Sequence, residues 1–122
     1  MRNLLAILAL ISGIANAQAH EQRLGPRGGA LVDAGVYHVE LVISEKSVEI
    51  FVSDASDKPI VATGFKALAI LAVNGKSIRV TLEPAADGSK LAGQAGEALP
   101  KRVKGAVQLT GTDGKTSTGR IN

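Results

Sequence analysis

The sequence predicts an all-β fold, a small antiparallel β-sandwich of Ig-like proportions with about seven strands. Three observations point there. Apolar and β-branched residues recur with a period of two in several short runs, the pattern of half-buried strands. Turn residues separate those runs about every 8–12 positions. No helical run is long enough to stand: Ala67–Ala72 has helical composition, but Gly64 before it and Asn74-Gly75 after it leave too little length. The chain has no Cys and no Trp, so the Cys…Trp…Cys marker of true Ig domains is missing, and an open barrel is the alternative architecture.

The chain begins with the pattern of a secretory signal over residues 1–19. Arg2 supplies a positive start, Leu4 to Ile11 an apolar segment, and Gly13 precedes a small-residue region. Two Ala-x-Ala cleavage frames overlap, Ala15-Asn16-Ala17 and Ala17-Gln18-Ala19. The apolar segment is shorter than the ~20 residues that span a bilayer, and the alternative of a retained N-terminal anchor is opposed by the small residues that follow. No Cys follows, which excludes a lipoprotein anchor. The expected product is a periplasmic or secreted single domain over residues 20–122, with no integral membrane segment after cleavage.

Within that domain Gly29–Asp33 reads as a short strand ahead of a turn at Ala34-Gly35. From Val36 to Ile43 the chain alternates: Tyr37, Val39, Leu41 and Ile43 take one face, His38 and Glu40 the other, solvent-facing one. Val48–Ser53 repeats the pattern, and the polar Ser44-Glu45-Lys46-Ser47 joins the two runs as a hairpin. Asp54-Ala55-Ser56-Asp57-Lys58-Pro59 is a turn built on Asx side chains and a Pro with preset φ. Lys66–Val73 and Lys76–Glu83 form a second hairpin across Asn74-Gly75, where both residues tolerate positive φ. Glu83–Lys90 and the Ala/Gly-rich Ala92–Lys101 read as loops. Gly105–Thr110 and Thr116–Ile121 make the last hairpin across Thr112-Asp113-Gly114-Lys115.

The composition excludes several functions. Net charge is +3, with the charges mixed except for a cluster at Lys101, Arg102 and Lys104 that suits solubility or contact with an anionic lipid or partner. Nucleic acid is not an expected partner: Tyr37, Phe51 and Phe65 are the only aromatic residues, too few for a base-stacking platform. An enzyme is not expected either. No Gly-x-Ser-x-Gly elbow, His-Glu-x-x-His or phosphate loop is present, and Asp54 with Asp57 is more economically a turn device than a carboxylate pair.

Metal binding has a small set of donors. There is no Cys and the one Met is the initiator, so soft ligands for Cu(I) are lacking. His20, His38 and carboxylates such as Glu21, Asp33 and Glu40 remain, a set suited to Cu(II) or Zn(II) if they converge. The bland alternatives are a terminal His20 without fixed position and a His38 that merely faces solvent beside Glu40.

The stretch His20-Glu21…Gly25-Pro26-Arg27-Gly28-Gly29-Ala30-Leu31-Val32, followed by Tyr37-His38-Val39-Glu40-Leu41-Val42, resembles a family of small exported proteins. It is also similar to the N-terminal periplasmic segment of adaptor subunits in heavy-metal cation efflux systems, whose Asp…Lys-Pro turn is matched by Asp57-Lys58-Pro59. The resemblance covers roughly the first forty residues of the domain. It departs at one position: the family's His before Gly-Gly is Arg27 here, and a guanidinium has no lone pair to donate. The resemblance implies metal ligands at His38, Glu40 and the nearby His20, and efflux-system components as partners.

The leading expectation is a non-enzymatic periplasmic binding protein for copper or zinc, or one associated with a metal-efflux system. A structural or protein-interaction module with no metal site is the alternative; a carrier of a small apolar ligand is a weaker one, given so few aromatics. If cleavage follows Ala19, the His20 α-amine and ring Nδ1 form one chelate, and the His38 imidazole would complete a three-nitrogen set for Cu(II), with Glu40 at an open position.

Overall fold

Period-two sequence becomes strand only where each strand finds neighbours, and here every strand is antiparallel to those beside it. The structure is a computed structural model that describes residues 22–122. The signal sequence read over 1–19, its two cleavage frames and His20 lie outside the described residues.

Eight strands follow one another: β1 (Ala30–Ala34), β2 (Tyr37–Ser44), β3 (Ser47–Ser53), β4 (Lys66–Val73), β5 (Lys76–Pro84), β6 (Leu91–Gln94), β7 (Lys104–Thr110) and β8 (Thr116–Ile121). The domain is all-β and antiparallel. Seven of the strands fall where the period and turn signals put them. The eighth, β6, occupies the start of the Ala/Gly-rich stretch read as loop. Asn74 and Gly75 both take positive φ, 51° and 76°, as a two-residue hairpin turn requires.

The hydrogen-bonded order is β1-β2-β3-β6-β5-β4-β7-β8, one continuous sheet rather than two separate ones. After the hairpin-connected β4, β5 and β6, strand β7 returns beside β4, which is the Greek-key order. In the strand ladder two halves, β1-β2-β3-β6 and β5-β4-β7-β8, meet through Glu83↔Ala92 and Pro84↔Leu91. At the far side the two end strands meet. The Gln22 carboxamide donates to the Leu31 carbonyl at 2.9 Å and accepts from the Asn122 N–H at 2.9 Å, stitching the β1 edge to the end of β8. The result is a nearly closed barrel, in which both halves turn their apolar faces to one core.

That core is aliphatic. Val39, Val48, Ile50, Leu71, Leu82 and Leu91 are fully buried, and Ala67 and Ala69 on β4 face inward among them. The one aromatic pair, Tyr37 against Phe65, meets edge to face with centroids 5.4 Å apart. The alternation leaves His38 and Glu40 on the outer side of β2, and that outer side carries the candidate site.

Candidate functional site

A glycine-rich loop, residues 25–29, folds onto the outside of β2. Leu24 bridges Ala30, and the loop closes on itself through Gly25 N–H to the Gly29 carbonyl at 2.9 Å and Gly28 N–H to the Gly25 carbonyl at 3.0 Å. The glycines permit a close approach: a Cβ on Gly25 would sit 2.3 Å from Glu40 Cδ, and one on Gly29 would sit 2.3 Å from the Leu41 carbonyl oxygen. The loop therefore covers Glu40, which is only 2% exposed. Solvent exposure read from the strand period is corrected here, because Glu40 points out of the barrel and is then roofed by the loop.

Burying a carboxylate is costly unless charge and hydrogen bonds compensate it. Glu40 Oε2 accepts from the backbone N–H groups of Arg27 and Gly29 at 2.8 and 2.9 Å. Its Oε1 accepts from Arg27 Nη1 at 3.0 Å. Phe51 stands opposite Glu40 in the β2–β3 register, and the Arg27 guanidinium lies over its ring, 3.6 Å from the centroid. Lys90, paired with Glu49, approaches the same ring at 5.9 Å. Arg27, read from the sequence as a lost ligand, is thus the cation that neutralises Glu40.

One register step away, His38 is held by two carboxylates. Asp57 Oδ1 lies 2.7 Å from His38 Nδ1. Asp33, directly opposite His38 on β1, places Oδ1 3.3 Å from Nε2. The same Asp33 oxygen accepts from Arg23 Nη2 at 2.8 Å. A carboxylate only accepts, so each ring nitrogen can satisfy the oxygen it faces by donating a proton to it. The imidazole is thus held between two carboxylates, Asp57 at Nδ1 and Asp33 at Nε2.

The turn that delivers Asp57 is built as its sequence suggests: Asp54 Oδ1 accepts from the N–H groups of Ser56 and Lys58 at 2.8 and 3.0 Å. Asp57 takes φ 63°, and Ser53 bridges Pro59, folding the turn back beside β3. Between this turn and the glycine-rich loop lies a cleft of about 340 Å³ with Leu24, Pro26, Phe51 and Pro59 among its walls. At its rim the N–H and hydroxyl of Ser89 hold the Asp87 carboxyl below the usual carboxylate range.

His38 and Glu40 share a face, but each is engaged with different partners, and their donor atoms are not brought together on a common ligand. Among the described residues no group of three or more His, Asp or Glu side chains is arranged to hold a metal ion. What the strands do assemble is a pair, His38 with Asp33, backed by Asp57. Asp33 could be found by counting outward from the two-residue turn that pairs Ala34 with Tyr37. Asp57 is 19 residues from His38 and had no local signal beyond its place in a turn.

Comparison with family models, with curated proteins and with solved structures finds no match to this chain. No helix among the described residues is long and apolar enough to cross a membrane.

Proposed function

We propose that this is an exported, non-enzymatic protein that binds a divalent metal ion, Cu(II) or Zn(II), at His38 and Asp33. The observation that supports it is the geometry at His38: Asp57 Oδ1 lies 2.7 Å from Nδ1 and Asp33 Oδ1 lies 3.3 Å from Nε2. A carboxylate behind a histidine is the usual way of orienting a metal-binding imidazole. In this reading Glu40 holds the loop, and its place in the expected ligand set passes to Asp33. His20 supplies further nitrogen donors from the N-terminal side, two residues ahead of Gln22, whose side chain is bonded to β1.

The resemblance to the N-terminal segment of heavy-metal efflux adaptors favours the same reading and names efflux-system components as partners. A second reading, an interaction module without metal, draws on the Arg27–Glu40 pair, which occupies the carboxylate that the resemblance would assign to the ion.

Calorimetric titration of Cu(II) and of Zn(II) into protein beginning at His20 tests the proposal. Binding should weaken at least ~10-fold in His38→Ala and in Asp33→Asn, about 1.4 kcal/mol each. An unaltered affinity in both variants, or no binding at micromolar metal, overturns it and leaves the interaction module.

A further inference from the structure

The half of the barrel opposite the His38 site carries a different surface. Alternation along β4 buries Ala67, Ala69, Leu71 and Val73, so Lys66, Leu68, Ile70 and Ala72 face outward. The register sets Ile70 in one row across four strands, Arg79–Ile70–Ala106–Arg120. Strand spacing of about 4.8 Å puts the two arginine backbones about 14 Å apart, with an apolar strip between them. Lys104, beside Ala72, and Lys66 stand at the two ends of that strip. Glu83 is the one acid on the outward face of these four strands.

These four cations are exposed and make no ion pair among the described residues. Among the described residues the ion pairs use Arg23, Arg27, His38, Lys76 and Lys90, and none of Lys66, Arg79, Lys104 or Arg120. The acids Asp33, Glu40, Glu49 and Asp57 stand on β1 to β3 and the turn after β3, each paired there with Arg23, Arg27, His38 or Lys90, and Asp33 shares one hollow with Arg120 at the β1–β8 seam. This sheet face thus carries four exposed cations and one acid around Leu68, Ile70, Ala72 and Ala106, with Ser77, Thr81, Gln108 and Thr118 among them.

We infer that this face docks on an anionic lipid surface. Protein interfaces enrich aromatic residues and arginine and deplete lysine, whereas this face sets two lysines beside its two arginines. This face has no aromatic residue and presents small aliphatic groups in a shallow sheet. Its long cationic side chains are instead matched to a layer of phosphodiester headgroups, with the half-buried Leu68 and Ile70 between them. This inference is independent of metal binding.

Protein purified after export would be sedimented with vesicles of equal phosphatidylglycerol and phosphatidylcholine, and with vesicles of phosphatidylcholine alone. Binding should need the anionic lipid and fade with salt, since these are exposed charges. Each cation near such a surface contributes about 5-fold to partitioning, so Arg79→Glu with Arg120→Glu should lower binding by at least ~10-fold. Lys46→Glu with Lys58→Glu makes the same change in net charge away from this face and should leave most of the binding intact. Circular dichroism of both doubles should match the parent, as all four positions are exposed. Equal loss in the two doubles, equal binding to both vesicle types, or no binding to the anionic vesicles overturns the inference. Binding to polyglutamate as tight as to the anionic vesicles also overturns it, in favour of an acidic protein partner.

Discussion

Arg27 binds Glu40 twice, through its backbone N–H at 2.8 Å and through its guanidinium at 3.0 Å. One residue thus closes the loop over a buried carboxylate and supplies the charge that makes the burial tolerable. The two residues are 13 positions apart, so the pair ties the glycine-rich loop to the middle of the sheet.

Removing either partner should be felt in stability. Arg27→Ala leaves Glu40 with two backbone donors and no cation, and should cost about 1.5–3 kcal/mol, the range for a hydrogen bond to a charged group. Glu40→Ala strands the Arg27 and Gly29 N–H groups and should cost at least as much. Arg27→Lys should recover only part of the loss, because an ammonium cannot both lie flat on Phe51 and reach the carboxylate. Urea denaturation measures all three. Unchanged midpoints would mean that the loop does not depend on this pair.

The loop glycines should rank by what surrounds them. A Cβ on Gly29 would meet the Leu41 carbonyl oxygen at 2.3 Å, a backbone atom that cannot move aside. Gly28 has open space and a φ of +75°, so alanine there meets only backbone strain. Gly28→Ala should cost about 1 kcal/mol and Gly29→Ala clearly more, about 2–3 kcal/mol. Thermal unfolding of the two variants gives the order, and a larger loss at Gly28 would contradict the close approach.

How much of this was legible depended on where the determining contacts lie. Strands β2 to β5 announce themselves through alternating Val, Ile and Leu, and the Asn74-Gly75 turn fixes the register of β4 with β5 locally. Strand β6, Leu-Ala-Gly-Gln, has no β-branched residue, and it forms because β3 and β5 flank it. Its Gly93 suits the place: a Cβ there would fall 2.3 Å from the Thr81 carbonyl oxygen. The same division runs through the site. Period two put His38 and Glu40 on one face correctly, but nothing local marks the loop that roofs Glu40. The 19-residue separation likewise hid Asp57 from any reading by spacing.

Metal affinity should respond to Arg23. Its guanidinium shares Asp33 Oδ1 with His38, so it competes with an ion for that oxygen. Both partners are exposed, and such a pair is worth at most about 1 kcal/mol. Arg23→Gln should therefore tighten Cu(II) or Zn(II) binding by up to ~5-fold in the calorimeter. Weaker binding in this variant would mean that Arg23 assists the site.

Core truncations should separate from changes at the surface. Leu41 is 3% exposed and Val80 1%. Leu41→Ala should cost about 2–5 kcal/mol through lost burial and a residual cavity, and Val80→Ala somewhat less. Far-UV circular dichroism of the parent should show strand with almost no helix, and the variants should keep that spectrum until they unfold.

The Gln22 carboxamide, bonded to Leu31 on one side and Asn122 on the other, has a consequence for how the chain can be cut and rejoined. It keeps Gln22 and Asn122 side by side, so a short peptide could join them while new ends are opened at Asn74-Gly75, an exposed turn. Exposed turns are where circular permutation succeeds. All the strand neighbours except the β4–β5 connection would keep their covalent order, and that pair would still meet through its ladder. The barrel depends on the cyclic order of its strands, and the point at which synthesis enters that cycle is free to move.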